Sequence, residues 1–173
     1  MALCLIAHGG DRLESAVRAY WALGFVPGRY DKLLIAQVDL RGNGSPDVLF
    51  SLSYTTFQKH AGNLWTVLEQ KKDGWVQPKT VDVSGRALNV SQMIFSRETA
   101  SCIFLPKYGK RGLLALLGRG GWFSYLEGDT IRTIPFESAA DLGMSEPALK
   151  KLAGNHKIVV EERAGEIAPS PKP

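Results

Sequence analysis

The chain is poor in the residues that carry most catalytic and metal chemistry. Its 173 residues include two cysteines and three histidines. Cys4 and Cys102 stand far apart, which excludes a disulfide framework. Cys102 lies in the apolar run Ser101-Cys102-Ile103-Phe104 and is expected as a small buried hydrophobe. His8, His60 and His156 have no His, Cys or carboxylate at metal-ligand spacing. His60, within Gln58-Lys59-His60-Ala61-Gly62, reads as a solvated loop residue. No Gly-x-Ser-x-Gly elbow occurs, so a Ser-His-Asp hydrolase has little support. The opening run Met1–Ala7 is too short for a transmembrane helix, and no transmembrane span is expected. That run also lacks a basic n-region, so it reads as an incomplete signal peptide or as a first buried element. Charge of one sign is not concentrated anywhere: the net charge of +4 is spread along the chain and argues only weakly for an acidic partner.

What is present describes an ordinary globular protein. An apolar fraction of 45% and a charged fraction of 22% suit a chain long enough to bury a core without disulfides. Eighteen glycines, nine prolines and four tryptophans favour a turn-rich β protein. The expected class is mainly β (α+β), with antiparallel sheets, an N-terminal amphipathic helix and a short C-terminal helix. Asp11 and Glu14 form a capping-box-like start, and Leu13, Val17, Tyr20 and Trp21 follow at helical spacing. Residues 1–32 are therefore expected as a segment whose helix packs on a sheet. From 33 to 136 short strands alternate with turn signals. Leu64–Gln70 and Trp75–Val83 predict a hairpin around Lys72-Asp73-Gly74, and Val90–Phe95 and Cys102–Leu105 predict further strands. Lys110–Leu116 echoes Ser45–Ser51, and Trp122–Glu127 echoes Leu64–Glu69, with a hairpin at Gly128-Asp129. Two diverged blade-like units, 33–83 and 90–136, are expected. Segment 137–166 carries a helix capped by Ser145 ahead of Pro147, then a strand near Lys157–Glu162; 167–173 reads as a disordered tail.

One stretch carries a specific chemical pattern: Asp39-Leu40-Arg41-Gly42-Asn43-Gly44-Ser45-Pro46-Asp47, running into Val48-Leu49-Phe50. Oxygen ligands of an EF-hand-like loop fall at its first, third, fifth, seventh and ninth positions, with glycine at the sixth. Asp39, Asn43, Ser45 and Asp47 are thus the candidate metal ligands, for a weakly bound calcium ion. Arg41 stands at the third position, where a donor-only guanidinium cannot ligate a cation. The alternative is a loop closed on itself, with Asp39 and Asp47 accepting from loop amides and Arg41 forming an internal ion pair. The strand–loop–strand unit resembles the FG-GAP or VCBS-type repeat, whose pattern is Asp-x-Asp-Gly-Asp-Gly-x-x-Asp. The resemblance covers roughly 33–77, because Gly62–Leu68 and Lys71–Trp75 continue it. It implies a repeat protein of the periplasm or cell exterior that binds a protein or glycan partner.

Other patterns point less far. Lys107, Lys110, Arg111 and Arg119, interleaved with Tyr108, Trp122 and Tyr125, suit a nucleic-acid or glycan surface. Core aromatics beside a solvated basic loop explain them equally, and nucleic acid is not the expected partner. Gly118-Arg119-Gly120-Gly121 precedes a strand rather than a helix and reads as a turn, not a phosphate loop. Glu69 and Glu127 occupy matching repeat positions without implying catalysis. The functional expectation is a non-enzymatic binding or interaction module of the cell envelope or exterior, with Tyr54–Gly62 among its contact loops. The alternatives are a structural calcium-binding domain with a degenerate loop and a metal-assisted hydrolase.

Overall fold

The computed structural model describes residues 7–23, 32–53, 63–81, 87–88 and 92–164. Helix α1 (Ala7–Ala22) is followed by β1 (Lys32–Val38), β2 (Asp47–Ser53), β3 (Asn63–Lys71), β4 (Gly74–Val76), β5 (Lys79–Val81), β6 (Ala87–Leu88) and β7 (Gln92–Phe95). Then come β8 (Ala100–Leu105), β9 (Lys110–Leu117), β10 (Gly120–Glu127), β11 (Thr130–Phe136), a 3-10 turn (Ala139–Leu142), α2 (Glu146–Asn155) and β12 (Val160–Ala164). The fold is mainly β with two helices, as the turn-rich composition implies.

The strands form two six-stranded sheets, β12-β1-β2-β3-β4 with β7 also on β3, and β6-β5-β11-β10-β9-β8. All pairs are antiparallel except β11 with β5. The sheets stack face to face, and each outer face carries a helical layer. Between the sheets lie Leu34, Ala36, Val38, Leu49, Trp65 and Val67 from the first, and Cys102, Leu113, Ala115, Leu126 and Ile131 from the second. On the far side of the first sheet, Leu33, Ile35, Val48, Phe50 and Leu68 pack under Leu13, Ala16 and Tyr20 of α1. On the far side of the second, Ile103, Leu105, Leu114 and Phe123 pack under Ala139, Leu142, Leu149 and Ala153.

This layering explains the sequence pattern. A strand covered on both faces needs apolar residues at consecutive positions, not alternate ones. Leu33-Leu34-Ile35-Ala36 is such a run, and all four residues are buried. Trp65 anchors the inner core: it stacks on Phe95 at 4.7 Å and donates its indole N–H to the Phe95 carbonyl at 3.1 Å.

Three boundaries differ from expectation. Helix α1 already runs from Ala7, so Asp11 lies inside it rather than at its cap; burial of Leu13, Ala16 and Tyr20 on the sheet outweighs the poor helix propensity of Gly9 and Gly10. The last strand begins at Val160, because Lys157 and Ile158 pair instead with Ser101 and Ala100. Of the hairpin expected over 64–83, only Glu69–Val76 is a ladder; the chain then leaves for the second sheet as β5 and β6 and returns to the first as β7. The two sheets are therefore not the two sequence units. The Ser145 cap is formed, accepting from the Ala148 amide, and Gly118-Arg119 turns between β9 and β10. Val83, Val90 and the tail after Ala164 lie outside the described residues.

Gly112 allows β9 to pass close to β10: a methyl group there would collide with the Ser124 carbonyl oxygen. Gly154, in the last turn of α2, faces open space. Gly112→Ala is expected to cost about 1–3 kcal/mol through overpacking. Gly154→Ala is expected to gain up to about 1 kcal/mol from helix propensity. Urea denaturation of the two variants checks both signs.

Candidate functional site

The loop between β1 and β2 is held by its own side chains. Asp39 accepts from the amides of Gly42 at 2.7 Å, Asn43 at 3.1 Å and Gly44 at 2.9 Å. Asn43 in turn accepts from the Ser45 amide at 2.9 Å. Partial burial pushes the Asp39 carboxyl up, but the three amides outweigh it and hold the group below the ordinary value. Gly42 and Gly44 take φ values of 71° and 81°, which let the backbone curl around that carboxylate.

Asp47 belongs to a different cluster. On β2, Asp47 and Leu49 face the second sheet, while Val48 and Phe50 face α1. Glu69 shares that inner face of β3 with Trp65 and Val67, one step beyond the Val48↔Leu68 pair, directly across from Asp47. The two carboxylates are 3% and 7% exposed. Like charges facing each other across a ladder repel, and the cation that offsets them is Arg41. Its guanidinium lies 2.5 Å from Glu69 Oε1 and donates to the Gly128 carbonyl at 2.9 Å. Lys71 joins the network, 2.8 Å from Glu69 and 2.9 Å from Asp129. The cluster thus ties the β1–β2 loop and β3 to the β10–β11 turn of the other sheet.

Not every polar atom here is satisfied. Arg41 Nε, Asp47 Oδ2 and Glu69 Oε2 are buried without hydrogen-bond partners. Burial, then repulsion from Glu69, raises the Asp47 carboxyl to about 6 against the opposing pull of Arg41 and the Leu40 amide. Arg12 of α1, bonded to the Pro46 carbonyl, adds a further positive charge toward Asp47.

Of the four candidate ligands, Asp39, Asn43 and Ser45 share the loop's hydrogen bonds, whereas the Asp47 side chain turns inward to Arg41 and Glu69. They do not converge as a ligand set in this conformation. Among the described residues no three His, Cys, Asp or Glu side chains are grouped to hold a metal. Glu69, the partner of Arg41, has no signal in sequence beyond its repeat position.

A second feature lies beside the loop. Strand β1 continues to Val38, but its ladder with β12 ends at Ala36↔Val160. The link before β12 is drawn to β8 instead: the Cys102 amide donates to the His156 carbonyl at 2.9 Å, and the Ile158 amide to Ala100 at 3.3 Å. Ser101 Oγ donates to the Ala153 carbonyl at 2.7 Å, fixing the end of α2. The resulting gap is a cleft of about 360 Å³, lined by Gln37, Asp39, Cys102, Arg111, His156 and Lys157, with Asn155, Val38, Ile158 and Val159 completing it. Arg111 Nε donates to the Asp39 carbonyl at 2.8 Å, and the Cys102 thiol approaches the same oxygen at 3.6 Å.

Burial raises the Cys102 thiol above its ordinary value, more than Arg111 lowers it. The thiol is therefore neutral and a poor nucleophile. Some of the basic and aromatic residues seen in sequence stay together: Tyr108 and Tyr125 stack on Phe123, with Lys107 over the Tyr108 ring at 5.5 Å and Lys110 over the Tyr125 ring at 5.9 Å, whereas Arg111 alone of the four cations lines the cleft. His60, Cys4, the loop Tyr54–Gly62 and the side chain of His8 lie outside the described residues. No family model, curated protein or solved structure matches the chain.

Because the folded-state value of Asp47 lies above 3.8, folding takes up a proton between that pH and about 6. The stability this group contributes is present at low pH, falls as pH rises through that window, and stays lost above it. Asp47→Asn, whose amide can donate to Glu69 Oε2, is expected to raise stability at pH 7.5 by about 2–3 kcal/mol and to flatten the slope between pH 4 and 6. In the same denaturation series Arg41→Met, which removes the guanidinium shared by the two carboxylates but leaves Lys71 on Glu69, is expected to cost roughly 2–3 kcal/mol. An unchanged pH slope in the asparagine variant would contradict the assignment.

Proposed function

We propose that the protein is a non-enzymatic binding module of the cell envelope or exterior, built on FG-GAP/VCBS-like repeats, which takes its ligand in the cleft between β1 and the α2–β12 link. The cleft itself carries this reading: it is a polar hollow of about 360 Å³ on a rigid two-sheet frame, within the size range of small-molecule sites. Its thiol, Cys102, is held neutral by burial, which suits holding a ligand better than attacking it. The extracellular component rests on the resemblance of Asp39, Asn43, Gly44 and Asp47 to the repeat loop. A protein or glycan partner fits this reading through a polar group that enters the cleft.

A calcium-stabilised structural domain is the second reading. It is favoured by the buried, unpartnered oxygens of Asp47 and Glu69 beside the loop of Asp39, Asn43 and Ser45. It requires Arg41 to leave them. The hydrolase alternative has no comparable support.

Amide chemical-shift mapping of the ¹⁵N-labelled protein against a fragment library tests the first reading, with thermal unfolding in calcium and in chelator run alongside. Shifts concentrated at residues 37–39, 102, 111 and 155–159 are expected, with coincident unfolding curves. Fragment shifts confined to other surfaces would overturn the cleft, and a midpoint raised by calcium would favour the second reading.

A further inference from the structure

We infer that the cleft accepts a small organic oxyanion, a carboxylate or a phosphate, between Arg111 and Lys157; this rests on the cleft being the binding site. Three observations carry it. Of the seventeen described lysines and arginines, Lys32, Arg41, Lys71, Arg97, Lys110, Arg132, Lys150 and Arg163 have a carboxylate partner within ion-pair distance; of the nine that do not, only Arg111 and Lys157 share one cleft. Arg111 and Lys157 line the cleft, and neither makes an ion pair with a described residue.

The acidic residue of the lining is already engaged. Both carboxylate oxygens of Asp39 accept loop amides, and its one negative charge also attracts Arg111 without forming an ion pair with it. The lining still counts two cations, Arg111 and Lys157, against the single anion Asp39, and so keeps an excess of positive charge. Gln37 and Asn155 add neutral donors around the same hollow.

Arg111 is also pre-organised. Its Nε is fixed to the Asp39 carbonyl at 2.8 Å, and the Asp39 loop is fixed in turn by Arg41. A guanidinium held at one nitrogen presents its remaining N–H groups as a planar fork, the geometry that recognises carboxylate and phosphate oxygens. Lys157, exposed on the link before β12, adds a point charge on a flexible stem to the same lining. A volume of about 360 Å³ limits the ligand to metabolite size or to one acidic group of a larger molecule.

Four matched probes test this at low salt by the same amide mapping and by calorimetry: benzoate, phenyl phosphate, neutral benzamide and cationic benzylamine. Benzoate, phenyl phosphate or both are expected to shift the cleft amides at least tenfold more tightly than benzamide. The winner of those two distinguishes a carboxylate from a phosphate source. Lys157→Gln is expected to weaken the oxyanion about threefold or more without altering the fold. Arg111→Gln is expected to weaken it further, with partial recovery in Arg111→Lys, which keeps the charge but loses the fork. Cleft binding by benzamide or benzylamine as tight as by the oxyanions would overturn the inference and leave the binding-module reading standing. No cleft binding by any probe would overturn both.

Discussion

Two carboxylates on neighbouring strands, Asp47 and Glu69, face one another in a seam that water hardly reaches, and the Arg41 guanidinium, helped by Lys71 at Glu69, makes that arrangement tolerable. A buried ion cluster adds little net stability over an apolar packing of the same shape, but removing one member is costly. What it supplies here is position. Arg41 draws the β1–β2 loop onto Glu69 and the Gly128 carbonyl. The placed loop presents the Asp39 carbonyl, and that carbonyl holds Arg111 in the lining of the cleft. The candidate site is thus the far end of a chain of contacts that starts at a buried charge imbalance between two sheets.

Much of the architecture is legible in the sequence because its causes are local. Leu33–Ala36 is apolar at every position because both faces of β1 are covered. Gly128-Asp129 marks a turn, and Ser145 ahead of Pro147 marks a helix start. The misread boundaries have non-local causes. Helix α1 extends back past Asp11 because a sheet formed by later residues covers it. Residues 157–158 leave the last strand because β8 offers them partners. The exchange of β5, β6 and β7 between sheets has no periodic signature, since each is only two to four residues long.

The site follows the same division. The Asp39 loop is visible because its residues are consecutive and glycine-punctuated. Arg41 stands out in sequence only as a residue out of place, and its purpose becomes readable once the register sets Glu69 opposite Asp47. The cleft could not be read in advance: it draws on β1, β8, β9 and the end of α2, and its defining residues are ordinary surface types. His156 and Arg111 are visible one at a time, yet nothing in their spacing says that they line one cleft.

The pairing of β12 with β1 has a consequence for synthesis. Lys32 finds its neighbour at Ala164, and the ladder between them forms one edge of the first sheet. That sheet therefore stays unfinished, with the β1 edge unpaired, until nearly all of the described chain has left the ribosome. Local hairpins such as β10–β11 can close early, but the layer that carries the Asp39 loop closes last. During that interval the Leu33–Ala36 run is an open strand edge, the kind of surface on which nascent chains associate. The charged pairs of Glu161, Glu162 and Arg163 on β12 bring polar cover to that edge at the moment translation delivers them.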